Sequence, residues 1–506
     1  MQAYYFSEEH ELFREGLRRF LAQEVHPHIN AWEQAGEIPK DIWKKFGQMG
    51  YLGLNYPEAY GGSDADFFYT VAYIEELAWL NSGGFNAAAG VTPYMAGAHI
   101  LAAASEALKQ KYLPGSISGY LLGALAITEP VAGSDVSNIR TTAVREGDHY
   151  VVNGSKTFIT NGYLCDYIVA AVKTKHEAGA AGISLLLIDK RESDGVRANK
   201  LNKLGWHSSD TAEIFFDNVR VPVSNLIGEE NQGFYYIMNK FQLERLIMAI
   251  GGVAAAEVAL QTALKYMAER EAFGRPINKF QALRHRIADL YAELESTRYF
   301  VYHVARLHND GHYDVKLASI AKLKGTELAD RATYECLQYF GGYGFMEDYP
   351  LARMFRDSRI GTIGGGSSEI MREIIAKTLI DSVKYGHESQ NNTPTSDTAI
   401  TAREIIAGLP QRFKPEKAAA YEGVFHFDLS GTGGGQYTVR LAAGDCQVSV
   451  GFQGTPTCVV ETSAEVYAAV ETGQMDPQQA FMGGKIKASN PMEMLTFGSF
   501  FKRLKK

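Results

Sequence analysis

Cysteine is scarce in this chain, four in 506 residues. Cys165, Cys336, Cys446 and Cys458 stand far apart, with no CxxC pair and no Cys/His cluster at metal-ligand spacing. A disulfide framework and a cysteine-built metal centre are excluded, and reduced, buried thiols are expected. Basic charge is not in excess either: the formal net charge is -8, whereas a nucleic-acid binder needs a basic footprint. There is no GxGxxG after a strand, no GxxxxGKS/T, no GxSxG and no HExxH. Rossmann, P-loop, serine-hydrolase and zinc-protease readings lose their main support. The N-terminus, MQAYYFSEEHELFREGLRRF, is amphipathic and charged from the start, so it lacks the basic-then-apolar order of a secretory signal. The longest clean apolar run, Leu246 to Ala256, falls short of the about 20 residues that a bilayer crossing needs. A soluble cytoplasmic protein without a membrane span and without a nucleic-acid partner is expected.

What is present is length and an ordinary globular composition, 46% apolar and 21% charged residues. At roughly 100 to 200 residues per domain the chain holds about three or four domains. Helical spacing of apolar residues runs through 1–121, with Ser7 as an N-cap before Glu8 and Glu9 and turns at Pro57–Gly62, Asn81–Gly84 and Pro114-Gly115. Short β-rich runs follow in 122–233, at 149–152, 167–172, 183–188 and 213–216. Glu146-Gly147-Asp148 and Asn153-Gly154 lie between such runs as hairpin signals, which predicts an antiparallel β domain. Helical spacing returns over 234–385, enough for a bundle of four or five helices, with breaks at Gly274–Pro276, Asn309–Gly311 and Gly341–Gly344. Residues 386–398 are polar and contain Pro394, as an exposed linker does. In 399–506, Phe425/Phe427/Leu429, Tyr437/Val439/Leu441 and Val448/Val450 alternate with polar neighbours, and Ser463 and Asp476-Pro477 read as helix starts. A small α+β domain around an apolar interior is predicted there.

Two places could carry chemistry. On a helix, Glu244 shares a stripe with Ile237, Phe241, Met248 and Gly251. Such a carboxylate either pairs with a neighbour or reaches water, or it is desolvated, with a raised pKa suited to taking a proton next to a carbonyl. Gly251-Gly252 would let another group approach the helix backbone closely. The second place is Gly364-Gly365-Gly366-Ser367-Ser368-Glu369, leading into a helical run from Ile370 to Leu379. It is either a flexible turn or a set of backbone N–H groups presented to a phosphate or oxyanion.

Over about Phe6 to Tyr385, ITEPVAGSD (127–135), KTFITNG (156–162), REAFGRPINKFQ (270–281), QYFGGYGF (338–345) and RDSRIGTIGGGSSEI (356–370) resemble the acyl-CoA dehydrogenase signatures, in that family's order. The resemblance implies a multidomain α+β fold: a helical domain, a β-barrel-like middle domain and a helical bundle. It implies bound FAD, with the isoalloxazine near Leu125, Ile127, Thr128, Phe158, Ile159 and Thr160, the last bonded near the hydride-accepting nitrogen. Arg270, Phe273, Gln281, Gln338, Gly341 and Gly342 would reach the adenine-diphosphate part of a neighbouring subunit's FAD, so a homo-oligomer, tetramer or dimer, is implied. Ser367 and Glu369 look like further FAD contacts, Ser134 like a contact to FAD and acyl-CoA, and Arg245 and Gly366 like contacts to acyl-CoA.

One departure from the majority pattern is informative. Most relatives carry the catalytic glutamate where this chain has Gly365, but in the isovaleryl-CoA and long-chain branches it comes from a helix motif similar to Leu243-Glu244-Arg245-Leu246. Residues 210–238 most resemble the long-chain branch. The resemblance thus implies that Glu244 removes the α-proton of a long, branched or bulky acyl-CoA while the β-hydrogen leaves as hydride, giving trans-2-enoyl-CoA. The Gly365 N–H would hold the thioester oxygen. Electron-transfer flavoprotein is the implied acceptor; an acyl-CoA oxidase, or a lipid-binding protein on an inactive scaffold, are the alternatives. Finally, Gly473 to Lys487 resembles the sterol-carrier-protein signature, with Asn490-Pro491 departing from the more usual Gly-Asp. That resemblance, reaching back to about Ile405, implies a fatty acyl or sterol-like ligand.

Overall fold

Side-chain oxygens decide where the first helices begin in the computed structural model, which describes residues 4–381, 383, 401–418, 421–431, 434–472, 480 and 485–501. Seven helices lead: α1 (Glu8–Glu24), α2 (Ile29–Ala35), α3 (Asp41–Gln48), α4 (Phe67–Ala78), α5 (Gly83–Gly90), α6 (Gly97–Ala103) and α7 (Glu106–Ile117). Ser7 precedes α1, its N–H donating to His10 Nδ1 at 2.9 Å. Asp66, Ser82 and Ser105 accept from first-turn N–H groups of α4, α5 and α7. Each bond satisfies a donor that the helix ladder leaves over. Two turn expectations need correction. Gly83 and Gly84 open α5 instead of prolonging the turn at Asn81, and Pro114-Gly115 lies inside α7. Leu113, Ser116 and Ile117 are buried, and that packing outweighs the single ladder bond that Pro114 removes.

The middle sheet comprises β1 (Gly123–Ala126), β2 (Thr142–Glu146), β3 (His149–Ile159), β4 (Tyr167–Lys173), β5 (Ile183–Asp189), β6 (Val196–Lys200), β7 (Ala212–Pro222) and β8 (Leu226–Ile227). Its order is β6-β7-β3-β2-β4-β5-β8, with β1 beside β4. Pairings are antiparallel except β1 with β4, and β2 with β4 at one position. The purely antiparallel expectation fails there because β2 and β3 intervene between β1 and β4, enough chain for a parallel return. Every residue of β4 and β5 is buried. One face lies with Tyr112, Leu113 and Ile117 of α7, the other with Tyr150, Val152 and Ile214, hence their near-continuous apolar sequences. Glu146–Asp148 makes the β2–β3 turn, but Asn153-Gly154 does not turn the chain. It is a bulge within β3, where the register against β7 shifts between Val152 and Gly154. Gly154 has φ +145°, and a Cβ there would come within 2.6 Å of Thr141 Oγ1, so glycine serves close approach, not reversal.

Five further helices form the bundle: α8 (Gly233–Glu269), α9 (Gln281–Asn309), α10 (Val315–Tyr339), α11 (Pro350–Ser358) and α12 (Ser368–Leu379). A two-residue hairpin, β9 (Glu271–Ala272) and β10 (Arg275–Pro276), separates α8 from α9. The expectation that no segment is long and apolar enough to cross a bilayer is corrected by α8. Its 37 residues include an 18-residue window of mean hydropathy 1.6, of which 56% is buried within the chain. Its apolar faces pack in the same core as residues of α4, α9 and α10. The closest backbone approach is at Gly252, where a Cβ would stand 2.5 Å from the Gly325 carbonyl oxygen of α10. Gly251 meets only Ile74, at 3.7 Å.

The chain divides into Met1–Gln390 and Asn391–Lys506; residues 386–398 lie outside the described residues. The second unit has α13 (Ala402–Ala407), α14 (Leu409–Arg412), α15 (Pro415–Ala418), β11 (Gly423–Ser430), β12 (Gly435–Ala442), β13 (Asp445–Val450), β14 (Cys458–Ser463), α16 (Ala464–Glu471), β15 (Ile486–Ala488) and a last helix, Pro491–Ser499. The sheet runs β13-β12-β11-β14-β15. Ser463 caps α16, accepting from the Val466 N–H at 3.2 Å. Phe425, Phe427, Leu429, Tyr437, Val439 and Leu441 face inward as the alternation predicts. Val450 does not: it is 74% exposed at the end of the edge strand β13. Asp476-Pro477, with 473–479 and 481–484 generally, lies outside the described residues. All four cysteines are free and buried.

The two neighbouring glycines of α8 should respond oppositely to alanine. Gly252→Ala is expected to destabilise the first unit by about 1–3 kcal/mol through overpacking, and Gly251→Ala to stabilise it by up to about 1 kcal/mol through helix propensity. Urea denaturation of each variant checks this; equal shifts of one sign would contradict the close α8–α10 approach.

Candidate active site

Glu244 sits near the N-terminal third of α8 and is 6% exposed. Its Oε1 is buried with no hydrogen-bond partner among the described residues. Burial pushes its carboxyl from an ordinary 4.5 up to about 8, against a smaller opposing pull from the Arg245 guanidinium. A carboxyl reaching water would not be so placed. Arg245, also buried, donates from Nη1 to Gln242 Oε1 at 3.0 Å, and Gln242 is anchored to the Met238 carbonyl at 3.2 Å.

The glycine loop meets α8 one turn further on. Gly365 has φ +61°, and a Cβ there would lie 2.3 Å from Met248 Sδ, so no side chain fits without displacing Met248. Met248 is four residues from Glu244, hence on the same face of the helix. Ser367 then caps α12, its Oγ accepting from the Ile370 N–H at 3.3 Å. Glu369 is exposed in the first turn, its carboxyl lowered by its own backbone N–H and by Ser367. Gly366, at φ +93°, completes the bend.

A second group of residues meets on the sheet. The Thr157 N–H donates to the Thr128 carbonyl at 2.9 Å, which sets Ile127-Thr128 beside Phe158-Ile159-Thr160. Beneath them Lys156, fully buried, donates to the Ile127 carbonyl at 3.0 Å and to Glu129 Oε1 at 2.7 Å. Burial alone would raise the Glu129 carboxyl, but Lys156 and further donors at Thr141 and Arg140 outweigh it and hold it low. On this base Phe158 is 69% exposed at φ +61°. A bulky residue held in the left-handed region costs of order 1–3 kcal/mol and is characteristic of binding sites. An exposed aromatic above satisfied backbone edges suits a planar heteroaromatic ring such as a flavin. Leu125 is half-buried in β1, and Ser134 is exposed on the following turn.

A cleft of about 690 Å³ lies elsewhere, lined by Arg270, Arg286, Gln338, Gly341, Gly342 and Tyr343 among others, with no carboxylate in its lining. Arg270 stands over the Tyr343 ring at 5.7 Å. Nearby Phe273 is 95% exposed, again at positive φ, +51°; Gln281 is exposed at the start of α9. The cleft has the size of a ligand site, and its two arginines suit a diphosphate. At 1.5 Å per residue, Arg270 is roughly 39 Å from Glu244 along α8. The structure thus places the expected residues in three groups, at Glu244 and Gly365, on the sheet at Thr128 and Phe158, and in the arginine-lined cleft.

Sequence reasoning missed Arg286, Lys156 and Glu129. Arg286 falls outside every motif, and the buried pair of Lys156 and Glu129 could have been suspected only from an acidic and a basic residue within two strand-rich motifs.

Comparison with known proteins gives four family matches. Residues 7–120, 124–219 and 231–380 match the N-terminal, middle and C-terminal domains of acyl-CoA dehydrogenase, and 404–497 match the SCP-2 sterol transfer family. The long-chain specific acyl-CoA dehydrogenase, mitochondrial, of Mus musculus is 40% identical over 380 residues, covering 74% of this chain and 87% of its own. The isovaleryl-CoA dehydrogenase, mitochondrial, of Oryza sativa subsp. japonica is 38% identical over 376 residues, covering 74% and 92%. The crystal structure of an acyl-CoA dehydrogenase from Geobacillus kaustophilus has a TM-score of 0.73 and 44% identity, covering 74% of this chain and 99% of its own.

The raised carboxyl of Glu244 has a consequence for stability. Between about pH 4.5 and 8 the folded chain keeps a proton that the unfolded chain has lost, so stability falls as pH rises through that window. Glu244→Gln removes this loss. Its stability relative to the parent protein should climb from about pH 4.5 and level off above about pH 8, followed by urea midpoints across pH; a pH-independent difference would show that the carboxyl is not protonated in the fold.

Proposed function

The chain belongs to the acyl-CoA dehydrogenase family, with a domain of the SCP-2 sterol transfer family at its C-terminal end, and on that premise we propose that it uses FAD to convert long-chain, branched or otherwise bulky acyl-CoA thioesters to trans-2-enoyl-CoA. Membership makes it an oxidoreductase and implies a flavin cofactor. The observation that carries the finer reading is the buried Glu244 carboxyl, its Oε1 without a partner among the described residues, one helix turn from the place where Gly365 meets α8.

Ile127, Thr128, Phe158, Ile159 and Thr160 would hold the flavin ring, which supplies the acceptor for the β-hydrogen as hydride. Glu244 takes the α-proton onto its carboxylate, and the electron pair left behind forms the new Cα=Cβ bond as the β-hydrogen departs with its own pair. The Gly365 N–H donates to the thioester oxygen as negative charge gathers there. Arg245 and Ser134 serve the acyl-CoA. A flat substrate-side surface at position 365 is itself required, since any side chain there would displace Met248 from beneath the loop.

The arginine-lined cleft would take the adenine-diphosphate part of another copy's FAD. The roughly 39 Å between Arg270 and Glu244 supports a homo-oligomer, tetramer or dimer, in which each flavin is held by two chains. Electron-transfer flavoprotein is the proposed acceptor. The C-terminal domain, whose interior collects Phe425, Phe427, Val439, Leu441 and Phe497, would carry a fatty acyl or sterol-like ligand and raise its concentration near the catalytic part.

Anaerobic addition of long-chain, branched and steroid-side-chain acyl-CoA to the yellow protein is expected to bleach the flavin. Glu244→Gln should slow bleaching by at least about 100-fold, the lower range for loss of a general base. At limiting thioester the parent rate should rise about tenfold per pH unit and level off above about pH 8. Undiminished bleaching in the glutamine variant would remove Glu244 from the mechanism.

A further inference from the structure

Lys322 is the most deeply buried cation of the bundle: on α10, it is 0% exposed. Its Nζ forms no ion pair with a described carboxylate; instead it donates to two backbone carbonyls, Gly361 at 2.8 Å and Gly366 at 2.6 Å. These are the two ends of the loop that carries Gly365. Placing an ammonium out of water with no carboxylate in contact is costly, and burial, with the Arg245 cation nearby, presses its pKa down to about 8 against the weaker pull of Glu327 and Glu369. A loop needing only a stop before α12 has one already in the Ser367 cap. The same helix meets both elements: a Cβ at Gly361 of the loop would stand 3.3 Å from Thr326, and Gly325 packs against Ala249 of α8.

We infer that Lys322 is a positioning residue for the dehydrogenation: by tying both ends of segment 361–366 to α10, it fixes the Gly365 N–H against α8 at the distance from Glu244 that a thioester enolate requires. The inference rests on the reading of Glu244 and Gly365 given above. The acceptor of the α-proton and the donor to the thioester oxygen come from different elements, α8 and the approach to α12, and α10 is packed against both. One ammonium bonded to both ends of the loop is the direct link between them. A displacement of about 1 Å in such a donor is enough to cost on the order of 100-fold in rate.

The test uses flavin-loaded, full-length protein. Lys322→Met should bleach about 100-fold more slowly than the parent at saturating acyl-CoA, with the half-saturating concentration changed by less than about threefold, the signature of a contact made in the transition state. A 3-thia-acyl-CoA can lose its α-proton but not a β-hydride, so its enolate reports on the same donor through a long-wavelength charge-transfer band with oxidised flavin. In Lys322→Met that band should be half-formed at a pH about two units higher, the equivalent of about 100-fold. Lys322→Arg, retaining a cation and its donors, should recover part of the rate. A methionine variant that bleaches at the parental rate with an unshifted band overturns the inference. If that variant does not fold, Lys322→Gln, uncharged and shorter than lysine, is measured in its place and judged by the same two outcomes. Should the parent protein itself fail to bleach with any acyl-CoA, the dehydrogenase reading falls; a bleaching parent with an unimpaired Lys322 variant removes the clamp alone.

Discussion

A carboxyl group held out of water with one oxygen unbonded is the feature on which the rest of this structure turns. Glu244 stands at the edge of what burial allows an acidic group, and the protein keeps it there through helix packing. α8 is rich in apolar residues that pack in the core of the bundle, and at Glu244 that packing leaves the carboxyl 6% exposed. The close approach of Gly252 to Gly325 brings α10 within reach of α8. α10 in turn bonds the glycine loop through Lys322. Glu244, the helix that desolvates it and the glycine loop that meets that helix one turn on form one packed assembly.

The first unit combines this desolvated centre with a different chemistry on the sheet. There Lys156 and Glu129 neutralise one another beneath the surface, while Phe158 stays exposed on a strained backbone. Polar demands are met below so that an apolar, planar surface can be presented above. The arginine-lined cleft at the far end of α8 shows the opposite economy, two arginines and no carboxylate among its lining residues, which suits a diphosphate. One long helix joins the two regions: α8 carries Glu244 in its first third and leads at its C-terminal end to Arg270 and the cleft.

Much of this was legible in the residues. Helical spacing followed by alternation and then helical spacing again gave the order of the elements, because burial of one face writes the same period into any helix or strand that packs. Asn153-Gly154 misled because the dipeptide favours any conformation with positive φ, a bulge as readily as a turn; only the pairing of β3 with β7 decides between them. Pro114-Gly115 misled because propensity is local while the burial of Leu113 and Ile117 is not. Val450 fell outside the alternation since an edge strand has nothing to cover its end. In the site, periodicity placed Glu244 on an apolar stripe but could not say whether a partner awaited it, which is a tertiary fact. Lys322 was invisible, for a lysine in a helix reads as solvated. The small residues one turn to either side, Ala318, Ser319, Gly325 and Thr326, all buried or closely packed, were the signal that its face points inward.

With its carboxyl raised to about 8 by burial, Glu244 is expected to be a neutral acid in the substrate-free fold at neutral pH, and to serve as the proposed base only once its proton is lost. Isotope-edited infrared spectroscopy of the flavin-loaded protein, taken as a difference between the parent and Glu244→Gln across pH, reads this directly. A protonated carboxyl C=O band is expected at pH 7, disappearing with a midpoint near pH 8. A difference spectrum showing only an ionised carboxylate at pH 7 would contradict it.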